Sequence, residues 1–315
     1  MTKKVIPFVS DIDEVSTSLW LEHLQKEMIE YKIVPFKDLS ETQIQNAQVA
    51  IVANPKPSEI AQMKSLVWVQ SLWAGVEKLL LDIPKASFKI ARMTDPILAD
   101  TMAQSVLAWT LYLHKNMPLY RKQQSQKLWK QHLELLPEEK NILILGLGKL
   151  GLKSALKLKN NGFSVSGWAR TKKDIDGITI YHGNEGLKQS LKSADIVVCL
   201  LPLTSETKNL LNKEKLDLLK SSASLINFAR GAIIDYDYLL EKLENSELSH
   251  AVLDVFHEEP LHKDSALWEN KNITVLPHIS APTNIKSASK IAAKHICEYY
   301  DKGINPSFVD EKKGY

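Results

Sequence analysis

Only two cysteines, Cys199 and Cys297, occur in 315 residues. One pair so far apart builds no disulfide framework, so a reducing compartment is expected. Cys199 lies inside the apolar run 196–201 and reads as a small core residue. Long apolar runs are absent too. No window approaches the roughly 18 apolar residues that a membrane span needs, and residues 1–7 hold too short an apolar stretch for a signal peptide. The expectation is a soluble, cytoplasmic protein with no membrane partner. Charge of one sign is also lacking: 40 basic residues face 37 acidic ones, for a net charge of +3. No broad field favours nucleic acid or a membrane surface, and short lysine pairs such as Lys172-Lys173 and Lys312-Lys313 read as solvated surface. Arginine is scarce, four against thirty-six lysines, which makes the position of each one informative. The nine histidines lack the close spacing of zinc sites, so no metal site is expected. No repeats or low-complexity tracts are evident.

What is present is ordinary globular composition, 44% hydrophobic and 24% charged, over a length that suggests two domains. Residues 4–9, 49–53, 66–72 and 89–93 read as strands. Residues 15–30 carry Leu19, Trp20, Leu24, Met28 and Ile29 at helical spacing. A long helical pattern spans about 97–126, with Pro118 predicting a kink or break, and a polar connection at 123–140 follows. A second series starts at Asn141, with strands at 142–145, 164–168, 196–201, 224–228, 250–255 and 273–276. Helices such as 213–220 and 236–243 fit between them, and a last helix covers about 284–300. Such alternation predicts an α/β fold: two Rossmann-like or flavodoxin-like domains with parallel sheets and an interdomain cleft. The expected division is 1–106 plus 284–315 for one domain and 107–283 for the other.

The apolar strand 142–145 runs into Gly146-Leu147-Gly148-Lys149-Leu150-Gly151 and then a helical pattern. In this strand–turn–helix context G-x-G-x-x-G has a chemical reading. Gly146 permits the tight turn, Gly148 lets a pyrophosphate approach the backbone, and Gly151 lets helix and strand pack closely. The N–H groups at the helix start, around Lys149 and Leu150, then bind phosphate. An ordinary glycine turn is the plain alternative. At the end of the next strand, NAD sites usually place a carboxylate for the ribose 2′-OH. Here stand Trp168-Ala169-Arg170-Thr171-Lys172-Lys173, with no carboxylate before Asp174. Arg170 suits a 2′-phosphate, with Thr171 and Lys172 assisting, so NADPH is expected over NADH, with NADH still possible.

Three patterns sit at the carboxyl ends of later strands: Asn227-Phe228-Ala229-Arg230-Gly231, Leu253-Asp254-Val255-Phe256-His257-Glu258-Glu259-Pro260-Leu261, and Leu276-Pro277-His278-Ile279-Ser280. That is the ligand side of an open α/β sheet. Alone, His278 is as consistent with a surface histidine, Glu259 with a turn residue and Arg230 with a strand end. Together and in this order they carry chemistry. His278 serves as proton donor near neutral pH, Glu259 stabilises its imidazolium, and Arg230 grips a carboxylate with its planar fork.

These motifs, with Leu201-Pro202-Leu203-Thr204-Ser205-Glu206-Thr207, resemble the D-isomer-specific 2-hydroxyacid dehydrogenase family over almost the whole chain. Within it they are most similar to the glyoxylate/hydroxypyruvate reductase A type. The Trp168-Ala169-Arg170-Thr171 run, the length and the terminal Lys313-Gly314-Tyr315 fit that branch. The resemblance implies hydride transfer from the nicotinamide to a small 2-oxo acid such as glyoxylate or hydroxypyruvate. It implies catalysis by Arg230, Glu259 and His278. Leu201, Pro202, Thr207, Ala229 and Asp254 join the cofactor site, and residues 1–106 with 284–315 form the substrate domain. It further implies that Ala74 and Gly75 offer backbone N–H groups to the substrate carboxylate beside Trp73, with a simple strand-to-helix turn as the plain alternative, and that Trp129 belongs to a homodimer contact, a buried structural tryptophan being equally consistent. Trp73 stands where related reductases usually have a small residue, Glu77 replaces the more usual Asp, and Gln104 replaces the usual Glu. Met102-Ala103-Gln104 falls near the nicotinamide in the family, and Asn54-Pro55 is expected to face the cleft. Another 2-oxo acid, or a nucleotide-binding regulator without turnover, remains as an alternative that assays of NADPH oxidation distinguish.

Overall fold

The computed structural model describes residues 3–84 and 86–310, so the terminal Lys313-Gly314-Tyr315 lies outside the described residues. In chain order the elements begin with β1 (Lys4–Ser10), α1 (Glu14–Glu27), β2 (Tyr31–Pro35), α2 (Glu41–Gln45), β3 (Val49–Ala53) and α3 (Pro57–Ile60). Then come β4 (Trp68–Ser71), α4 (Glu77–Asp82), β5 (Lys89–Ala91), α5 (Pro96–His114) and α6 (Met117–Ser125). The later part holds β6 (Asn141–Leu145), α7 (Lys149–Lys159), β7 (Ser164–Ala169), β8 (Thr179–His182), α8 (Gly183–Ser193), β9 (Ile196–Cys199) and α9 (Lys213–Leu216). It closes with β10 (Ser224–Asn227), α10 (Tyr236–Glu244), β11 (His250–Leu253), β12 (Ile273–Val275) and α11 (Ile285–Lys302). No helix among the described residues is long and apolar enough to cross a membrane.

Chain contacts define two compact units. One runs through Ile97 and resumes at Thr283; the other is Leu98–Pro282. In the first, the described strands form one sheet in the order β2-β1-β3-β4-β5, all pairs parallel. This is the flavodoxin-like order, with its reversal between β1 and β3. Sequence periodicity does not announce β2, a five-residue strand that starts at a buried tyrosine. β3, Val-Ala-Ile-Val-Ala, is buried at every position, as a strand covered by helices on both faces must be. Helix α1 starts where Asp13 accepts a hydrogen bond from the Ser16 N–H at 2.9 Å. It buries Trp20 and Leu24 against the sheet. Helix α11 is capped by Asn284, ends at Gly303 with φ +68°, and lays Ala288, Ala292, Ala293 and Ile296 into the same core.

The second unit holds a sheet in the order β12-β11-β10-β9-β6-β7-β8, again all parallel. Residues 142–145 are fully buried, which is why an unbroken Ile-Leu-Ile-Leu run makes the central strand β6. Strand order reverses between β6 and β9, so the loops after these strands open a crevice at their carboxyl ends. The helical pattern 97–126 is two helices: Asn116, at φ +54°, breaks it, and Pro118 stands in the first turn of α6 where its missing N–H costs nothing. The edge strand β8 is the other element that periodicity does not reveal, because its residues are only half-buried or exposed.

Candidate active site

The glycine turn follows β6. Gly146 has φ +99°, and its N–H donates to the Trp168 carbonyl at 2.9 Å. A Cβ on Gly151 would lie 1.8 Å from the Gly146 carbonyl oxygen, so helix α7 crosses the turn too closely for any side chain. Gly148 differs: a Cβ there would meet nothing within 4 Å. It is also the N-cap of α7 and supplies no side-chain acceptor, which leaves the first-turn amides, with Lys149 and Leu150, to an outside acceptor. Open space above Gly148 and uncapped amides beneath it fit a dinucleotide pyrophosphate. Lys173 braces the turn, donating from Nζ to the Leu147 carbonyl at 2.7 Å.

Beyond β7, Arg170, Thr171 and Lys172 are exposed, and Arg170 forms an ion pair with Glu206. Glu206 is presented by the loop after β9. There Leu201 is buried, the Thr207 hydroxyl donates to the Pro202 carbonyl at 2.6 Å, and the Thr204 N–H donates to Thr207 Oγ1 at 2.8 Å. Leu201, Pro202 and Thr207 thus belong to a fixed turn at the carboxyl end of β9.

Arg230 stands at the end of β10, on a turn locked from beneath. The buried Asn227 side chain donates to the Arg230 carbonyl at 3.1 Å and accepts from the Ala229 N–H at 3.1 Å. The Tyr236 hydroxyl donates to the Val255 carbonyl at 2.6 Å and accepts from Asn227 at 3.0 Å, tying the Arg230 turn to the segment after β11. Gly231 lets these two segments touch, because a Cβ there would lie 2.1 Å from the Phe256 carbonyl carbon.

That segment carries Glu259. Its Oε1 accepts the Phe256 N–H at 2.9 Å, and its Oε2 lies 2.6 Å from His278 Nδ1. His278 follows β12 at φ +55°, a left-handed conformation that costs a non-glycine residue about 1–3 kcal/mol, which its surroundings must offset. The buried Asp254 carboxylate does so: it accepts the N–H groups of Ile279 at 2.7 Å and Ser280 at 2.8 Å. Asp254 therefore sits under the His278 turn, and both of its oxygens are engaged there. Arg230, Glu259 and His278 are brought together within this unit, at the carboxyl ends of β10, β11 and β12.

Trp73, Ala74 and Gly75 belong to the first unit, after β4. The Trp73 N–H donates to Ser71 Oγ at 3.1 Å, and its indole N–H donates to Asn54 Oδ1 at 2.9 Å. Trp20 packs edge-on against the same ring, with centroids 6.1 Å apart. Arg92 donates to the Ala74 carbonyl at 3.4 Å. The indole is therefore held in one orientation by its own unit.

Residues 107–280 match the model of the D-isomer specific 2-hydroxyacid dehydrogenase family, NAD binding domain. The chain belongs to this family. Over 100% of both chains it is 30% identical, with TM-score 0.91, to a D-isomer specific 2-hydroxyacid dehydrogenase from Xanthobacter autotrophicus Py2 in complex with NADPH and MES. An NADPH-dependent glyoxylate/hydroxypyruvate reductase of Sinorhizobium meliloti, in complex with NADP and sulfate, is 25% identical at TM-score 0.91. That similarity covers 99% of this chain and 100% of that one. A probable 2-hydroxyacid dehydrogenase from Rhizobium etli CFN 42, with NADP, HEPES and tartaric acid, is also 25% identical, at TM-score 0.87, over 99% of this chain and 100% of that one. The protein is thus an NAD(P)-dependent oxidoreductase of the D-2-hydroxyacid dehydrogenases.

In this dehydrogenase the hydrogen bond His278 donates to Glu259 raises the His278 pKa above the usual histidine range, outweighing the opposing effects of burial and of Arg230. Burial pushes Glu259 upward, but His278, the Phe256 amide and Arg230 together bring it below the usual carboxylate range. Both shifts favour the imidazolium–carboxylate form of the pair, and the Arg230 charge acts on both partners. With Nδ1 turned to Glu259, Nε2 is the ring nitrogen directed elsewhere. Sequence reasoning passed over Asn227, Gly231, Tyr236, Lys173 and Glu206 as working residues. Asn227 and Gly231 stood inside a quoted motif, Glu206 inside another and Lys173 at the end of the run after β7, whereas Tyr236 carries no local signal and acts through tertiary contacts.

Proposed function

We propose that the dehydrogenase reduces glyoxylate and hydroxypyruvate to glycolate and D-glycerate, with NADPH preferred over NADH. The observation that carries the reading is the 2.6 Å His278–Glu259 pair beside Arg230. When bound, the reduced nicotinamide supplies a hydride to the 2-oxo carbon. Arg230 grips the substrate carboxylate and polarises the 2-oxo carbonyl. Protonated His278 gives its Nε2 proton to the carbonyl oxygen as negative charge develops there, and Glu259 compensates the imidazolium before transfer. In the first unit, Ala74 and Gly75 are the proposed backbone donors for a substrate carboxylate, next to Trp73, whose indole Asn54 and Trp20 fix. Gly146, Gly148 and Gly151 hold the pyrophosphate with the Lys149 and Leu150 amides, while Arg170, aided by Thr171 and Lys172, takes the 2′-phosphate. Leu201, Pro202, Thr207, Ala229 and Asp254 complete the cofactor wall.

The working form is a homodimer. Trp129 is 95% exposed and Leu133 89%, with Leu128 and Leu136 also exposed in the same connection, an apolar stretch that suits burial against a second copy. Both cysteines are free thiols, as suits a cytoplasmic protein. The test is NADPH oxidation across a panel of 2-oxo acids, repeated with NADH. Highest kcat/KM for glyoxylate or hydroxypyruvate with NADPH supports the reading. Preference for a bulky or phosphorylated 2-oxo acid, or equal kcat/KM for both cofactors, contradicts it.

A further inference from the structure

We propose that Glu206 is a specificity-determining residue: its carboxylate competes with the cofactor's 2′-phosphate for Arg170, limiting the preference for NADPH and preserving use of NADH. This rests on the reading of Arg170 as the phosphate ligand.

Arg170 is the only arginine among Arg170, Thr171, Lys172 and Lys173, and the only one of those side chains built for two-point contact with a phosphate. Its guanidinium NH1 is engaged by Glu206 Oε2. The two residues are 36 positions apart in sequence, so the contact is tertiary. Glu206 is brought to Arg170 by the turn that Pro202, Thr204 and Thr207 fix through two hydrogen bonds, at 2.6 and 2.8 Å. A loop tied in this way presents Glu206 toward Arg170, where the two side chains pair.

The consequence is electrostatic. A phosphate arriving at Arg170 must displace Glu206 and then bear the nearby negative charge. A ribose 2′-OH has no such conflict, because it can donate a hydrogen bond to the carboxylate. Both partners of the pair are about half exposed, with side-chain exposures of 53% and 60%. Exposed ion pairs contribute little, so the expected effect is roughly two- to fivefold in phosphate affinity. It should also shrink as salt screens the charges.

The experiment measures binding of 2′,5′-ADP and of 5′-AMP by calorimetry to the wild type, Glu206→Gln and Arg170→Ala, at low and high salt. Steady-state kinetics with both cofactors run in parallel. Glu206→Gln is expected to tighten 2′,5′-ADP roughly two- to fivefold at low salt, leave 5′-AMP unchanged or slightly weakened, and raise the NADPH-to-NADH ratio of kcat/KM. Arg170→Ala is expected to abolish the preference for 2′,5′-ADP. If Arg170→Ala removes the preference while Glu206→Gln binds both nucleotides as the wild type does, the competition does not exist. If Arg170→Ala keeps the preference, Arg170 is not the phosphate ligand, and the reading beneath the proposal fails with it.

Discussion

Gly231→Ala tests whether the closeness of two loops matters for catalysis. The new Cβ would lie 2.1 Å from the Phe256 carbonyl carbon, 2.4 Å from its oxygen and 2.5 Å from the His257 nitrogen. All three are backbone atoms, so no side chain can swing aside. Ordinary contact begins at 3.4 Å, so the segments must part by about 1.3 Å. One carries Arg230, and the other leads to Glu259, whose Oε1 is tied to the Phe256 N–H. The opening therefore moves Arg230 away from the Glu259–His278 pair. A misplacement of about 1 Å costs on the order of 10²-fold in rate, or about 2.7 kcal/mol of transition-state stabilisation. Overpacking also lowers stability by roughly 1–3 kcal/mol. The assay is kcat/KM for the 2-oxo acid together with cofactor titration, which reads the glycine turn after β6 separately. The expected result is kcat/KM down about 100-fold with cofactor affinity within about twofold. Wild-type kcat/KM and an unchanged melting temperature would refute the reasoning.

Arg230→Lys keeps the charge but loses the planar fork, and should lower kcat/KM by about 10²-fold or more; near-normal kcat/KM would remove Arg230 as the carboxylate clamp. Glu259→Gln removes the chief cause of the raised His278 pKa. Because reduction needs the imidazolium, the loss of kcat/KM on the alkaline side should then begin at lower pH than in the wild type, and an unmoved pH profile would contradict the pairing. His250, buried against Tyr112 and hydrogen-bonded to Thr274 Oγ1 at 2.9 Å, is lowered by burial from 6.5 to about 4. Its folded pKa is depressed, so its share of stability is whole above 6.5 and drains as pH falls toward 4, by roughly 3 kcal/mol in all. Urea midpoints at neutral and acidic pH should therefore separate less in His250→Asn than in the wild type, and equal separation would contradict the claim.

The α/β class was legible because buried parallel strands leave unmistakable runs, such as 142–145 and 49–53, punctuated by glycine at 146 and 148. Strands β2 and β8 were not, because each is made a strand by its neighbours rather than by its pattern. The break at Asn116 fell near the expected Pro118 because proline tolerates a helix start, not its middle. At the site, Arg230, Glu259 and His278 could be named from motifs, since each lies just past a strand end. What holds them could not. The Asn227–Tyr236 bridge, the Asp254 support under the His278 turn and the Arg170–Glu206 pair join residues 9 to 36 positions apart, and no periodicity encodes such contacts.

The most direct test of the account is turnover by His278→Ala, measured as NADPH oxidation with glyoxylate at saturating cofactor. If His278 donates the proton to the carbonyl oxygen, kcat should fall by roughly 10²–10⁴-fold while calorimetry shows nucleotide affinity retained. A variant that turns over at the wild-type rate would contradict the assignment of His278 and, with it, the role given to Glu259.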